Sequence, residues 1–350
     1  MKKMLLLALS LFAVVNIAAC ATQGKTAAPE RKVRLWTDSL GREVEIPEKI
    51  EKVAVTGPMA QIVLYALAPE LLAGVSAPWP EEVRQYIPDE YLSLPVLGQL
   101  YGGKDSMDPE ALLGSAPDVV IDLGEPGASV REDLDSLSGQ TGLPFVHVSM
   151  TTETAGDAFR MLGDLLSLNE RAEEYAIYCE TVYARALEIA GKAEKTDVLF
   201  ITGAEGLHVI AKDSYHSEVV DLFCNNLAVV ESPSAKGTGN EVDMEQILLW
   251  NPEAVIFSPD SIYGIVSQTE EWGKVSAIAN GKFYQVPYGP YNWMGFPPSV
   301  QRYLGMMWLP AVLYPELCDY SLQDEVIKYY RMFYHTELSG EQYESLIAGS

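Results

Sequence analysis

The stretch DPEALLGSAPDVVI, residues 108–121, has a near-copy far downstream, DMEQILLWNPEAVI, residues 243–256. Both read Asp, any residue, Glu, an apolar run, Pro, an acid, and then a strand-like Val-Ile. Asp108 and Asp243 are each placed to cap a helix start, with Pro109 at the favoured first helical position in one copy. Glu110 and Glu245 then fall at the second helical position, beside exposed amides and the positive end of the helix dipole. One chain that builds the same helix–strand unit twice is expected to contain two similar lobes.

Outward from these units the pattern is that of an α/β protein. LWTDSLGREVEIPEKIEKVAV (35–55) reads as a β-hairpin turning at Gly41-Arg42, followed by a first core strand. AQIVLYALA (60–68) has helical spacing, LLAGVS (71–76) and LPVLG (94–98) are strand-like, and a helix and the strand PFVHVS (144–149) follow the first unit. Alternating short apolar strands and helices argue for a largely parallel sheet. From Thr152 to about Lys195 no strong breaker occurs, and apolar residues recur at helical spacing, with a possible restart at Asn169. The segment 169–193 alone would span ~37 Å as a helix, enough to cross from one lobe to another. The strand DVLFITG then restarts the alternation, and LQDEVIKYYRMFYHTEL reads as a terminal helix. The expected layout is an N-terminal lobe over 33–151, a connecting helical region over 152–195 and a C-terminal lobe with terminal helices over 196–350.

A chain of 350 residues is long enough for two cores, and 48% hydrophobic with 21% charged residues is ordinary globular composition. The net charge of −25 argues against a nucleic-acid partner, because phosphates are bound by Lys and Arg. Residues 1–19 carry a basic start, a short apolar run and small residues, the order of an export signal and too short for a comfortable spanning helix. Ile17-Ala18-Ala19-Cys20 resembles the bacterial lipobox, in which Cys20 becomes the lipidated N-terminus, and 20–32 would be a flexible tether. A lipid at Cys20 tethers the protein to the membrane surface without spanning it. Cys179, Cys224 and Cys318 remain, an odd number without metal-type spacing that leaves a Cys224–Cys318 disulfide open.

Most of the mature chain resembles the substrate-binding proteins of ABC importers for ferric siderophores, haem and vitamin B12. The residues carrying the resemblance are DSLGREVEIPEKIEKVAV, the two E-x6-P-[DE] units, the helical strut and the ending FYHTELSGEQYESLI. It implies two Rossmann-like lobes with central, mostly parallel sheets, joined by one long α-helix, with a ligand cleft between them. It also implies a non-enzymatic protein that hands its ligand to a permease dimer with ATPase subunits. In that family a Glu on each lobe docks onto permease arginines, and Glu110 and Glu245 stand at the matching positions. From local physics alone, both acids could equally serve only their helix starts.

Ligands of open α/β sheets lie beyond the carboxyl ends of the strands. The loops expected there carry Met59, Trp79, Tyr101, Lys104, Tyr215, His216, Lys236 and Tyr263, and PYGPYNWMGF (287–296) adds Tyr288, Tyr291, Trp293 and Phe296, with Arg302 beyond it. Aromatic walls suit a large chelate or macrocycle, although buried loop aromatics also serve as a lobe's lid. Lys104, Lys212, Lys236 and Arg302 are the cations eligible to meet an anionic ligand, if they are not ordinary surface charges. His147, His208, His216 and His335 show no paired spacing, which fits a naked metal ion poorly, and no cofactor of the protein's own is expected. The favoured cargo is an iron chelate of the ferric siderophore type. Corrinoids, haem, and molybdate or tungstate are the alternatives, and a chelatase-like enzyme or a permease-free surface receptor are rivals of other classes.

Overall fold

In a computed structural model the structure describes residues 32–101 and 106–349, so Cys20 and Lys104 lie outside the described residues. A hairpin opens the described chain, β1 (Val33–Thr37) pairing antiparallel with β2 (Glu43–Pro47). Its turn is held by Asp38, whose carboxylate accepts from the backbone N–H of Leu40 and Arg42 and from the Arg42 guanidinium. Arg42 also donates to the Phe145 carbonyl at 2.8 Å, which fastens the hairpin to the first sheet.

That sheet consists of β3 (Val53–Val55), β4 (Val119–Gly124) and β5 (Phe145–Ser149), in the order β3-β4-β5 and all parallel. The segments 71–76 and 94–98, expected as strands, continue it only through isolated parallel bridges, Val53 with Leu72 and Val75 with Val96. Gly74 and Pro95 within them weaken a regular ladder. Packed around the sheet are α1 (Pro58–Leu67), the single turn α2 (Asp89–Leu92), α3 (Pro109–Ser115) and α4 (Val130–Thr141).

Region 152–195 holds two helices, α5 (Ala155–Leu166) and α6 (Asn169–Lys192). Ser167 in the left-handed region ends the first, and Asn169 starts the second, the position of the expected restart. The pair runs antiparallel, with Gly156 against Glu180 and Gly163 against Ala172. Only glycine allows that approach, because a Cβ at 163 would lie 2.6 Å from that of Ala172. At 24 residues α6 is about 36 Å long.

The second sheet contains β6 (Asp197–Thr202), β7 (His208–Val209), β8 (Asn225–Asn226), β9 (Asn240–Glu241), β10 (Ala254–Phe257) and β11 (Phe283–Gln285). Its order is β11-β10-β6-β7-β9, with β8 beside the start of β6; β11, β10, β6 and β8 are mutually parallel, and β7 pairs antiparallel with both β6 and β9. Helices α7 (Glu218–Phe223), α8 (Met244–Trp250) and α9 (Ser276–Ala279) belong to this half, followed by α10 (Arg302–Leu313), α11 (Leu322–Phe333) and α12 (Gly340–Ile347). The expected single terminal helix is thus α11 followed by a separate α12, whose start is closed by reciprocal bonds between Ser339 and Gln342.

The two repeated units fold alike. Asp108 accepts from the amides of Glu110 and Ala111, and Asp243 from that of Gln246. Each helix has seven residues, ends at a left-handed residue (Ala116 or Asn251), and buries one aliphatic side chain completely, Leu112 or Ile247. The acid after the proline has its own task. Asp118 accepts from the amides of Glu51 and Lys52 at 2.7 and 3.0 Å, just before β3. Glu253 reaches the amide of Asp197, the first residue of β6, at 3.4 Å. Each unit therefore starts a helix and also ties off the neighbouring strand. Asp108→Ala, which frees both amides, is expected to cost about 1 kcal/mol in a urea unfolding measurement.

A continuous core runs through both sheets and the helices between them, from Val53 and Val55 to Val198 and Phe200. Tyr175 on α6 donates to the carbonyls of Ala66 on α1 and Met332 on α11, and Tyr329 and Tyr334 both donate to Gln301 Oε1, at 2.8 and 2.6 Å. Cys179 and Cys224 are buried and free, and burial pushes both thiols up to about 12, so neither is a ready nucleophile. Cys318 is free as well.

Candidate functional site

The register of parallel strands β3, β4 and β5 places Thr56, Asp122 and His147 in one row near the carboxyl end of the sheet. Ala54, Val120 and Phe145 lie two residues earlier on the same strands, in the small core beneath α3 and α4, so this face changes from apolar to polar at its edge. All three polar side chains are buried. Asp122 accepts from the Thr56 hydroxyl through one oxygen and meets His147 Nδ1 at 2.7 Å through the other.

Beyond this edge lies a cleft of about 700 Å³. The N-terminal half contributes Thr56, Met59, Tyr101, Asp122 and Glu125; Tyr215, His216, Lys236, Gly237, Pro297 and Pro298 come from the other half. Gly57, Pro58 and Met59 bring the start of α1 to the cleft, a helix with neither a side-chain cap nor an acid in its first turn. Its unpaired amides and dipole favour a partly negative ligand oxygen there.

On the facing wall His216 stacks on Phe296, ring centroids 4.6 Å apart, and a Cβ at Gly237 would stand 2.8 Å from the same phenyl ring. Burial and the neighbouring Arg302 charge lower the His216 pKa, which leaves its imidazole neutral near pH 7. Arg302 is itself buried and engaged: it pairs with Glu218, donates to the Tyr215 carbonyl, and lies 4.7 Å from the Tyr215 ring centroid. Glu218 also accepts from the Thr152 hydroxyl at 2.9 Å, and Tyr303 donates to the Thr152 carbonyl. Arg302 thus braces the floor from below and offers no free charge to the cleft.

Of the residues expected at the site, Met59, Tyr101, Tyr215, His216 and Lys236 line the cleft together. The other described ones lie elsewhere. Trp79 packs edge-on to Tyr65 at 5.4 Å and donates to the Tyr91 carbonyl. Tyr263 packs between Phe257 and Phe283 in the second core. Tyr291 and Trp293 are buried in the main core, and Tyr288, although partly exposed, does not line the cleft. The physical reason is the C-terminal segment: Tyr330 donates to the Gly289 carbonyl, and Leu346 approaches the same glycine, so the aromatic loop is closed over by α11 and α12. From the end of this loop Phe296 stacks on the cleft residue His216, and Pro297 and Pro298 line the cleft. Sequence reasoning marked the stretch 56–60 without singling out Thr56, and it missed Asp122 and Glu125. The available signal was three apolar strand runs, VAVT, VVID and FVHV, each acquiring a polar residue near its end.

The model of a family described as periplasmic binding protein matches residues 53–288. The chain belongs to that family. No curated protein matches it by sequence. Among solved structures it is similar to an ABC transporter solute binding protein of Sulfurospirillum deleyianum, at 28% identity and a TM-score of 0.81, over 90% of this chain and 99% of the other. It is also similar in fold to the molybdate periplasmic binding protein of Haemophilus influenzae, at 19% identity and 0.65, over 87% and 99% of the two chains. The catecholate-siderophore binding protein of Vibrio cholerae shares the fold at 17% identity and 0.55, over 79% and 99%. The family works with ABC permease and ATPase components and binds small ligands.

This periplasmic binding protein presents the two repeated acids outward. Glu110 and Glu245 are exposed, and among the described residues neither carboxylate has a hydrogen-bond or ion-pair partner. A turn further along each helix an exposed leucine follows, Leu113 at 49% and Leu249 at 77%.

Proposed function

We propose that this protein captures an organic metal chelate, of the ferric siderophore type, in the cleft and delivers it to an ABC permease dimer. The observation that carries this is the cleft itself: about 700 Å³ at the strand ends, walled from both halves by Tyr101, Tyr215, Met59 and paired prolines. That size falls within the range of small-molecule sites, and apolar walls with a few fixed polar groups suit a bulky, partly apolar ligand. A bare tetrahedral oxyanion would leave most of this space unfilled. The protein reaches its place through export and a lipid on Cys20, and it carries out no chemistry on its cargo. Glu110 and Glu245, each with its exposed leucine, dock on the permease.

Two measurements test this. Native mass spectrometry with an absorption spectrum of protein purified from its own host is expected to show a ferric-chelate mass and charge-transfer band. A Soret band, a corrinoid spectrum or a colourless molybdenum adduct would replace the iron chelate as cargo. Tyr215→Ala is expected to weaken binding of the co-purified ligand about tenfold, the loss of one stacked aromatic contact with its buried area. An unchanged dissociation constant would remove this cleft as the binding site.

A further inference from the structure

A second cavity of about 320 Å³ opens from the cleft and shares Tyr101, Asp122, Leu123 and Glu125 with it. His147 lines its inner end. Asp122 engages Nδ1 of that ring, and in the tautomer with its proton on Nδ1 the Nε2 atom is an acceptor. Nε2 is completely buried and has no partner among the described residues. Such an atom calls for an explanation, and a donor arriving with a ligand supplies one.

The mouth of this side cavity has the same polarity. Glu125 is exposed and has no hydrogen-bond or ion-pair partner among the described residues, and the Tyr101 hydroxyl is already spent on Asp133 at 2.9 Å. Ser129 and Val130 bring the start of α4 to the wall, but Glu132 and Asp133 in its first turn offset the positive helix end. Among the described residues lining either cavity, Lys236 is the one free cation, since His216 is held neutral and Arg302 is committed to Glu218. A trianionic chelate would stand beside Glu125 with, among the described residues, one lysine to balance it, and like charges brought together in one site are disfavoured.

We infer that the side cavity is a charge-selecting subsite: it receives an ammonium or amide N–H arm of the ligand, between Glu125 and His147 Nε2, and restricts the cargo to neutral or cationic chelates. This rests on the proposed iron-chelate cargo and adds its charge class. The start of α1 then faces the chelating oxygens while the arm occupies the acceptor-lined side cavity.

The test uses the full chain and three ferric probes by calorimetry: ferrioxamine B, a trihydroxamate with a pendant ammonium; ferrioxamine E, its neutral cyclic counterpart; and ferric MECAM, a trianionic tricatecholate. Expected is binding in that order, with tenfold or more between the first two. Glu125→Gln, at an exposed position without a partner among the described residues, is expected to remove most of that gap by weakening ferrioxamine B more than ferrioxamine E. The His147 Nε2 nitrogen resonance should move when the gallium complex of the ammonium probe binds. A flat or reversed order, or a ratio unaffected by Glu125→Gln, overturns the charge-selecting subsite alone. Failure of all three to bind overturns the ferric-chelate cargo and the subsite with it.

Discussion

Glu110→Lys combined with Glu245→Lys is expected to abolish ligand-stimulated ATP hydrolysis by the permease in proteoliposomes while leaving ligand affinity unchanged. The two carboxylates occupy equivalent positions on α3 and α8, helices of equal length with the same kind of cap and the same left-handed exit. Both are exposed, and neither contributes a bond to the fold among the described residues. Stability is therefore expected to change by less than about 0.5 kcal/mol apart from the small helix-dipole contribution. The effect on docking is of another size. Replacing an opposite charge by a like one across a contact costs several kcal/mol, and two such sites on one rigid body multiply in the association constant. Single alanines should lower the apparent affinity for the permease more mildly, since removal is less damaging than repulsion. Undiminished ATPase stimulation by the double reversal would assign these acids to helix stabilisation only.

Arg302→Ala is expected to destabilise the protein by about 3 kcal/mol, the lower end for breaking a buried pair, because Glu218 keeps 36% exposure and can recover some hydration. Three contacts disappear together: the Glu218 ion pair, the bond to the Tyr215 carbonyl and the cation–π contact with the Tyr215 ring. Arg302→Lys should recover only part of this, since one ammonium cannot serve two acceptors in the geometry of a guanidinium fork. Ligand affinity should fall too, because Tyr215 is a cleft wall and Arg302 holds it. Urea unfolding and a binding isotherm on the same variant check both. Wild-type stability in Arg302→Ala would show that Thr152, Tyr303 and the surrounding helices hold this floor without it.

Much of the architecture was legible locally. The caps at Asp108 and Asp243, the Pro-acid exits into strands and the long helix after Asn169 are short-range patterns that formed where expected, and the hairpin expected to turn at Gly41-Arg42 turns over the wider span 38–42. The segments 71–76 and 94–98 were less legible, because apolar content alone does not reveal that Gly74 and Pro95 reduce strands to isolated bridges. The site divided in the same manner. Loops at strand ends predicted Met59, Tyr101, Tyr215, His216 and Lys236 at the cleft, since strand direction alone places such loops.

Two features needed the assembled chain. Thr56, Asp122 and His147 form one row only because β3, β4 and β5 pair in a particular register; a shift of one residue would turn each to the other face. Tyr291 and Trp293 were the strongest ligand candidates by composition, yet α11 and α12 return from the end of the chain and bury the loop that holds them. Local preference, capping and turn chemistry act over a few residues, so the repeated unit and the α/β plan are written in short stretches of chain. Register between distant strands and the docking of terminal helices depend on burying apolar area from remote segments, so which aromatic meets ligand and which meets core is settled only in the folded molecule.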